Sequence, residues 1–355
     1  MSGDADISVL IVTYEHGDEI VACLDGALAQ AGDGLTLEVV VADNASRDDT
    51  AAHVKARAGD GVRLLAMGSN RGFAAAVNAA FAASTGEHVL ILNPDCVMDG
   101  GCARALRDHL LGRPDVALAA ALLHDPDGSA QLHARRDIGL GGVLWAYTTV
   151  GRHVDARLRS GRALAARRYE DDLWAAGPPR EPVAVFCPAA ACVMGARREL
   201  APAPLDERFP LFFNDGDLCA RLQAAGRGVE IVPAATAAHG YGTSVTRAQR
   251  ADPARMRAEW VASLRRYAAR HWRRPQRAAL AALLLADAVA TAALCAARRE
   301  DPRELRGVLG GLGLPGGPPP LLTPVRRGLA LRGRAGAAPA PARPPADVAP
   351  GSRRP

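Results

Sequence analysis

Four short apolar runs mark the first hundred residues: 7–13 (ISVLIVT), 37–42 (LEVVVA), 62–67 (VRLLAM) and 88–92 (HVLIL). Each is rich in β-branched residues or leucine and is closed by turn formers. Helical spacing fills the gaps over 18–30, 48–58 and 72–85. The runs are apolar throughout, so the pattern predicts a parallel sheet covered by helices on both faces. A fifth run, 116–122 (VALAAAL), fits another strand. Residues 130–180 are irregular and arginine-rich, with Trp145, Tyr147, Tyr169 and Trp174, and read as a helical or loop segment inserted over the sheet. The apolar run 183–194 then precedes LDERFPLFFNDGDLCARLQAAGRGVEIVP, which reads as a loop, a helix over 215–225 stopped at Gly226, and a strand near 229–232.

Helical spacing returns over 254–272, with Trp260, Leu264, Tyr267 and Trp272. The stretch AALAALLLADAVATAALCAA (278–297) nearly reaches the length of a membrane span, but Asp287 interrupts it and alanine dominates. It predicts an amphipathic helix on a bilayer surface, flanked by Arg273, Arg274, Arg277, Arg298 and Arg299, with packing on the protein body as the alternative. From Pro315 onward 11 of 41 residues are proline, which predicts disorder. The chain thus divides into a domain over 1–245, a helical, membrane-associating region over 246–314 and a tail over 315–355.

With 355 residues and 49% apolar content the chain can bury a substantial core. Lys55 is its only lysine, which removes every lysine-dependent mechanism but one built there. Charge is uneven. From Arg247 onward 21 arginines face 7 acidic residues, whereas the rest of the chain is net acidic. A basic end on an acidic body suits an anionic partner. Membrane lipid fits better than nucleic acid, because no aromatic and basic residues interleave as in an RNA-binding surface. The 7 cysteines form no C-x-x-C pair, so neither a zinc ribbon nor a disulfide framework is indicated. Acidic residues in MSGDADISVLIVTY stand where a signal peptide needs basic ones. The expected location is cytoplasmic, at the inner face of the membrane if 278–297 touches lipid.

Polar groups follow the apolar runs in IVTYEHGDE, VVVADNASRDDT, GSNRGFAAAVNAAFAAS and LNPD. They should converge on one sheet edge, where open α/β sheets bind ligands. Asp43 and Asn44 can read a base or ribose. Gly72 lets backbone approach closely, and the N-terminus of the helix carrying Asn78 attracts phosphate. Asp95 can hold a divalent cation bridging a diphosphate. Singly, each is as readily a turn, a packing glycine or a cap; their order together carries the assignment. In NDGDLCARL, Asp215 and Asp217 are two apart and cannot share a helix face. Asp215 can project into the cleft behind the apolar lead-in RFPLFF, or merely cap the helix. Asp217 can cap backbone N–H groups or reach Arg221.

The set VTY, VADNAS, NRGFAAAVN, LNPD and FFNDGDLCARLQAAG resembles the family 2 inverting glycosyltransferases of GT-A fold, particularly the bacterial rhamnosyltransferase-like branch, over about residues 7–245. The resemblance implies an α/β fold with a mostly parallel twisted sheet flanked by helices. It implies transfer from a nucleoside-diphosphate sugar (dTDP-rhamnose or a UDP-sugar), with Mg2+ or Mn2+, to an acceptor hydroxyl in cell-envelope polysaccharide or glycolipid synthesis. The acceptor would be a glycan, lipid-linked or a small molecule. A small-molecule natural product is the alternative target, and a non-catalytic nucleotide-sugar-binding protein the alternative of another class.

By the same resemblance, Thr13, Tyr14, Asp43 and Asn44 contact the nucleotide, and Asn70, Gly72, Asn78 and Asn93 lie along the nucleotide-sugar pocket. Asp95 matches the last carboxylate of a D-x-D-type metal motif whose first position is Asn93. Asp215 matches the catalytic base, and His239, in HGYGTSVTR, a late histidine near the metal. Two departures stand out. Asn93 removes one carboxylate, leaving the metal to Asp95, His239, phosphates and water. Asn214 removes an acidic neighbour of Asp215 and makes the choice of base less ambiguous. Rival classes lack their signatures: no G-x-G-x-x-G follows the first strand as in a nicotinamide oxidoreductase. Nor is there the lysine-bearing basic loop of a sugar-nucleotide pyrophosphorylase, or the Q-x-x-R-W and multiple spans of a processive synthase.

Overall fold

The computed structural model describes residues 5–32, 34–131, 134–135, 137–144, 148–149, 151, 177–240, 252–298 and 301–319. These lie in one compact unit, Met1–Pro324. Its centre is β1 (Ile7–Thr13), all seven residues of which are buried. Alternate side chains leave opposite faces of a strand. Ile7, Val9 and Ile11 therefore pack with α1 (Ile20–Leu28) and α4 (Cys102–Gly112). Leu10 and Val12 join a second core with α3 (Phe73–Ala82) and α5 (Asn214–Ala224). Burial on both faces explains why the strand reads as an unbroken apolar run.

The strands flanking β1 are β2 (Leu37–Asp43), β3 (Val62–Ala66) and β4 (His88–Leu92), with α2 (Thr50–Ala56) between β2 and β3. Further along come β5 (Cys96–Met98), β6 (Val116–His124), β8 (Val183–Ala184), β10 (Cys192–Ala196) and β11 (Gly228–His239). They form one sheet in the order β3-β2-β1-β4-β10-β6-β11-β5, with β8 on β11. The first four strands are parallel. Beyond β4 the sheet is mixed, because β10 runs against both β4 and β6, and β5 and β8 run against β11. A separate ribbon pairs β7 (Ala134–Arg135) with β9 (Cys187–Pro188).

The expected strand near 229–232 is longer than its sequence suggested. Pro233 cannot donate to a ladder; the chain shifts register between Val232 and Thr236, then resumes pairing as far as His239. Gly226 ends α5 region as expected, with φ 74°. Trp145, Tyr147, Tyr169 and Trp174 of the arginine-rich segment lie outside the described residues, as do 241–251 and 320–355.

Three C-terminal helices, α6 (Pro253–His271), α7 (Arg274–Arg298) and α8 (Arg303–Leu312), follow. Asp252 caps α6 by accepting from the Arg255 N–H, and Pro253 opens the helix. Val261, Leu264 and Tyr267 of α6 and Leu280 and Leu284 of α7 build a third core around Phe209 and Phe213. By length and composition α7 is long and apolar enough to cross a membrane.

Candidate functional site

The candidate site lies where the parallel strands end. Thr13 and Asp43 are register partners at the last pair of β1 and β2, and the Asn44 N–H donates to the Thr13 carbonyl at 2.9 Å. Among the described residues three non-glycine residues have positive φ: Glu15 (59°), Ala45 (66°) and Phe213 (64°). The first follows Tyr14, the second follows Asn44 and the third precedes Asn214-Asp215. Such backbone costs about 1–3 kcal/mol per residue and persists where surrounding packing imposes it. Here it concentrates on the loops that the sequence singled out.

Several of the side chains expected to contact ligand also shape those loops. The Asp43 carboxylate accepts from the Ser46 N–H at 3.2 Å. Buried Asn44 accepts from the Arg71 N–H at 3.2 Å and donates to the Gly72 carbonyl at 3.3 Å. The Asn70 side chain accepts from the Gly72 N–H at 3.1 Å. Gly72 caps α3 with φ 88°, a conformation closed to most side chains. Asn44 and Asn70 thus hold the turn that opens α3. The Asn78 amide nitrogen donates to the Leu205 carbonyl (2.8 Å) and to Glu207 Oε1 (3.3 Å), and its oxygen accepts from the Leu205 N–H (3.1 Å). It anchors the 205–207 loop to α3. Thr13 Oγ1 lies 3.3 Å from His16 Nδ1, which also accepts from the Tyr14 N–H at 3.1 Å. The Tyr14 ring is 37% exposed, and burial together with Glu15 pushes its phenol above the ordinary range.

At the end of β4 the Asn93 N–H donates to the Ala191 carbonyl (2.8 Å), and its carbonyl accepts from the Cys96 N–H (3.1 Å). That turn projects Asp95. β11 returns beside it: His239 is the register partner of Cys96, and the Gly240 N–H donates to the Asp95 carbonyl at 2.9 Å. His239 Nε2 lies 3.5 Å from Asp95 Oδ1, the two side chains being 8% and 5% exposed. On the other side of the ring, Nδ1 meets Gln131 Oε1 at 3.0 Å, while the Gln131 amide donates to the His239 carbonyl and to Asp125. An Nδ1–H donated to Gln131 leaves Nε2 the basic nitrogen, aimed at Asp95, which is the disposition of a metal-ligating histidine. Among the described residues no cluster of three or more His, Cys, Asp or Glu is placed to hold a metal. Asp95 and His239 suit a cation that takes its remaining ligands from phosphate and water, as Mg2+ does.

Asp215 stands in the first turn of α5; Phe213, not Asp215, is the N-cap residue. Its Oδ1 accepts from the Gly216 N–H at 2.7 Å and its Oδ2 from Arg135 Nη1 at 3.2 Å. A Cβ on Gly216 would fall 2.4 Å from Ile138 Cδ1, so glycine lets the helix approach that segment. Asp217 has a different job, as the two-residue spacing requires. It is fully buried, accepting from Arg221 Nε (3.0 Å) and His271 Nε2 (2.8 Å).

The two carboxylate centres are reached from one short segment, through Arg135 and Gln131. Asp215 borders a small apolar cavity with Phe73, Ile91 and Ala190. The Ala74 N–H donates to the Pro210 carbonyl, joining the start of α3 to the lead-in of α5. Arg135, on Asp215, and Gln131, on His239, are four residues apart, a chain span of at most about 14 Å. Neither had been singled out in the sequence. Arg135 is one arginine among many in its segment, and nothing in the spacing marks Gln131; both are brought in by β7 and the β11 return.

The model of glycosyl transferase family 2 matches residues 8–164. Residues 8–164 are thus similar to glycosyl transferase family 2, and the described residues form an α/β sheet flanked by helices. It is similar to the succinoglycan biosynthesis protein ExoO of Rhizobium meliloti (strain 1021), 40% identical over 90 residues, which are 25% of each chain. It is also 29% identical over 262 residues to N-acetylglucosaminyl-diphospho-decaprenol L-rhamnosyltransferase of Mycobacterium tuberculosis, covering 70% of this chain and 79% of that one. Among solved structures, the mannosyltransferase PcManGT of Pyrobaculum calidifontis, in complex with GDP-Man and Mn2+, aligns with TM-score 0.48 and 20% identity, over 85% of this chain and 78% of that one.

Proposed function

We propose that the protein transfers one sugar from a nucleoside-diphosphate sugar to an acceptor hydroxyl, with inversion at the anomeric carbon, in the assembly of an envelope polysaccharide or glycolipid. The donor is dTDP-rhamnose or a UDP-sugar; the L-rhamnosyltransferase relative, named for a diphospho-decaprenol acceptor, and the succinoglycan relative support a rhamnosyl donor and a glycan or lipid-linked acceptor. The observation that supports the reading is the Asp95–His239 pair, whose partner Gln131 stands four residues from Arg135, the partner of Asp215.

Asp215 takes the acceptor proton on a carboxylate oxygen as the hydroxyl oxygen attacks. Arg135 holds Oδ2, and the Gly216 N–H holds Oδ1, fixing the plane of that carboxylate. Asp95 and His239 would hold a divalent cation, which when bound offsets charge on the departing diphosphate. Gln131 keeps the His239 proton on Nδ1. The turn at Gly72 opens α3, at whose N-terminus backbone N–H groups favour phosphate.

The test is a thermal-shift screen of UDP-, dTDP- and GDP-sugars with and without Mn2+. One nucleotide should stabilise the wild type more strongly with the cation, and Asp95→Asn should lose that cation-dependent increment. Equal stabilisation of both proteins would remove Asp95 from the proposed cation site.

A further inference from the structure

We propose that the outer face of α7 docks on an anionic lipid bilayer, with the helix lying in the plane of the headgroups. The helix has two faces. Leu280, Leu284, Asp287, Ala288 and Thr291 are buried against the protein. Opposite them Ala281, Ala282, Leu285, Ala286, Val289 and Ala293 are exposed, and no exposed side chain from 278 to 297 is polar. Leu285 and Val289 stand out at 52% and 71% exposure. A contiguous exposed apolar stripe of this length marks an interaction surface.

A buried polar clamp sets which face points outward. Asp287 accepts from the Thr149 N–H at 2.5 Å and pairs with Arg257 of α6 at 3.4 Å, and the hydroxyls of Thr149 and Thr291 meet at 2.6 Å. Its inner face is thereby tied to α6, which carries Arg255, Arg265, Arg266 and Arg270 and cannot enter hydrocarbon. That argues for a helix resting in the interface over one that spans.

Charge selects the occupant. Arg273 and Arg274 are exposed at the start of α7 and Arg277 follows one turn later; in sequence, Arg298 and Arg299 come next after the apolar stretch. Arginines flanking an apolar stripe can lay their stems along it and place guanidinium groups among anionic headgroups. A second copy of the chain fits poorly. Parallel or antiparallel pairing of two α7 helices sets arginine ends against arginine ends. Leu280 and Leu284 also share a core with Phe213, which opens the helix of Asp215. If the proposed transferase reading holds, the bilayer sits one packed layer from the base, suitably placed for a lipid-linked acceptor.

The full chain should co-sediment with phosphatidylglycerol-containing vesicles and poorly with pure phosphatidylcholine. Leu285→Glu with Val289→Glu should lower the bound fraction at least tenfold without altering thermal unfolding, since both side chains face outward. Replacing Arg273, Arg274 and Arg277 by Gln should weaken binding to the anionic vesicles alone. The proposal fails if the wild type ignores both vesicles, or if the Glu variant binds as well as wild type, which would assign binding to the basic tail. It fails equally if the wild type is a dimer that the Glu variant dissociates with no vesicle binding. Nucleotide binding in solution reads the transferase proposal separately, so either idea can fall while the other stands.

Discussion

Asp217 accepts from His271 Nε2 at 2.8 Å, joining the last turn of α6 to the helix that carries Asp215. Arg221 on the same helix and Arg270 beside His271 complete the surroundings of this fully buried carboxylate. Breaking a buried ion pair by deleting one member leaves the other groups uncompensated, at a cost of about 3–5 kcal/mol. Asp217→Ala should lose stability of that order in urea unfolding, whereas substituting the more exposed Asp252 should cost far less.

Gln131 is expected to govern cation affinity without touching the cation. Its contact with His239 Nδ1 orients the ring, and loss of such a partner typically weakens metal affinity or activity by about 10–100-fold. Gln131→Ala should raise the Mn2+ concentration needed for nucleotide binding, measured by calorimetry, by a factor in that range. Gln131→Glu should restore part of it by again accepting from Nδ1.

Arg135 should act on turnover more than on nucleotide affinity. It fixes Asp215 Oδ2 at 3.2 Å, and misplacement of a reacting group by about 1 Å can cost about 100-fold. Arg135→Ala should lower kcat by about that factor. A comparable loss of nucleotide affinity with kcat unchanged would place Arg135 on the donor instead.

His124 supplies a pH-dependent contribution to stability. Its Nδ1 meets the Asp125 carbonyl and its Nε2 the Asp99 carboxylate, each at 2.9 Å, and these contacts raise it above the ordinary value of 6.5. A folded-state pKa raised above the unfolded one gives stability that is complete below about pH 6.5 and is lost as pH rises through the raised value. Unfolding free energy should therefore decline across that window in the wild type, and the decline should be smaller in His124→Gln. A profile identical in both proteins would contradict the assignment.

The sheet was legible because its strands are buried on both faces: Ile7, Val9 and Ile11 feed one core and Leu10 and Val12 the other, leaving no polar interruption. Strand identity, the α5 helix and its stop at Gly226 follow from such local signals. The reversal of β10 does not, since direction within a sheet depends on connections that no short window contains. The site shows the same division. Asp43, Asn44, Asn70 and Asn78 stand out by position near strand ends and turns, and their hydrogen bonds to Ser46, Arg71, Gly72 and Leu205 backbone are not legible there. Arg135, Gln131 and the ties of Asp217 depend on residues distant in sequence, and pattern alone gives no hint of those partners.

The most direct measurement is steady-state sugar transfer by Asp215→Asn beside its affinity for the nucleotide with Mn2+. The substitution keeps size and helix position but removes the proton acceptor, so turnover should fall by about 100–10,000-fold while nucleotide affinity stays within about twofold. Turnover close to the wild-type rate would mean that the acceptor proton leaves to another group and would contradict the proposed site.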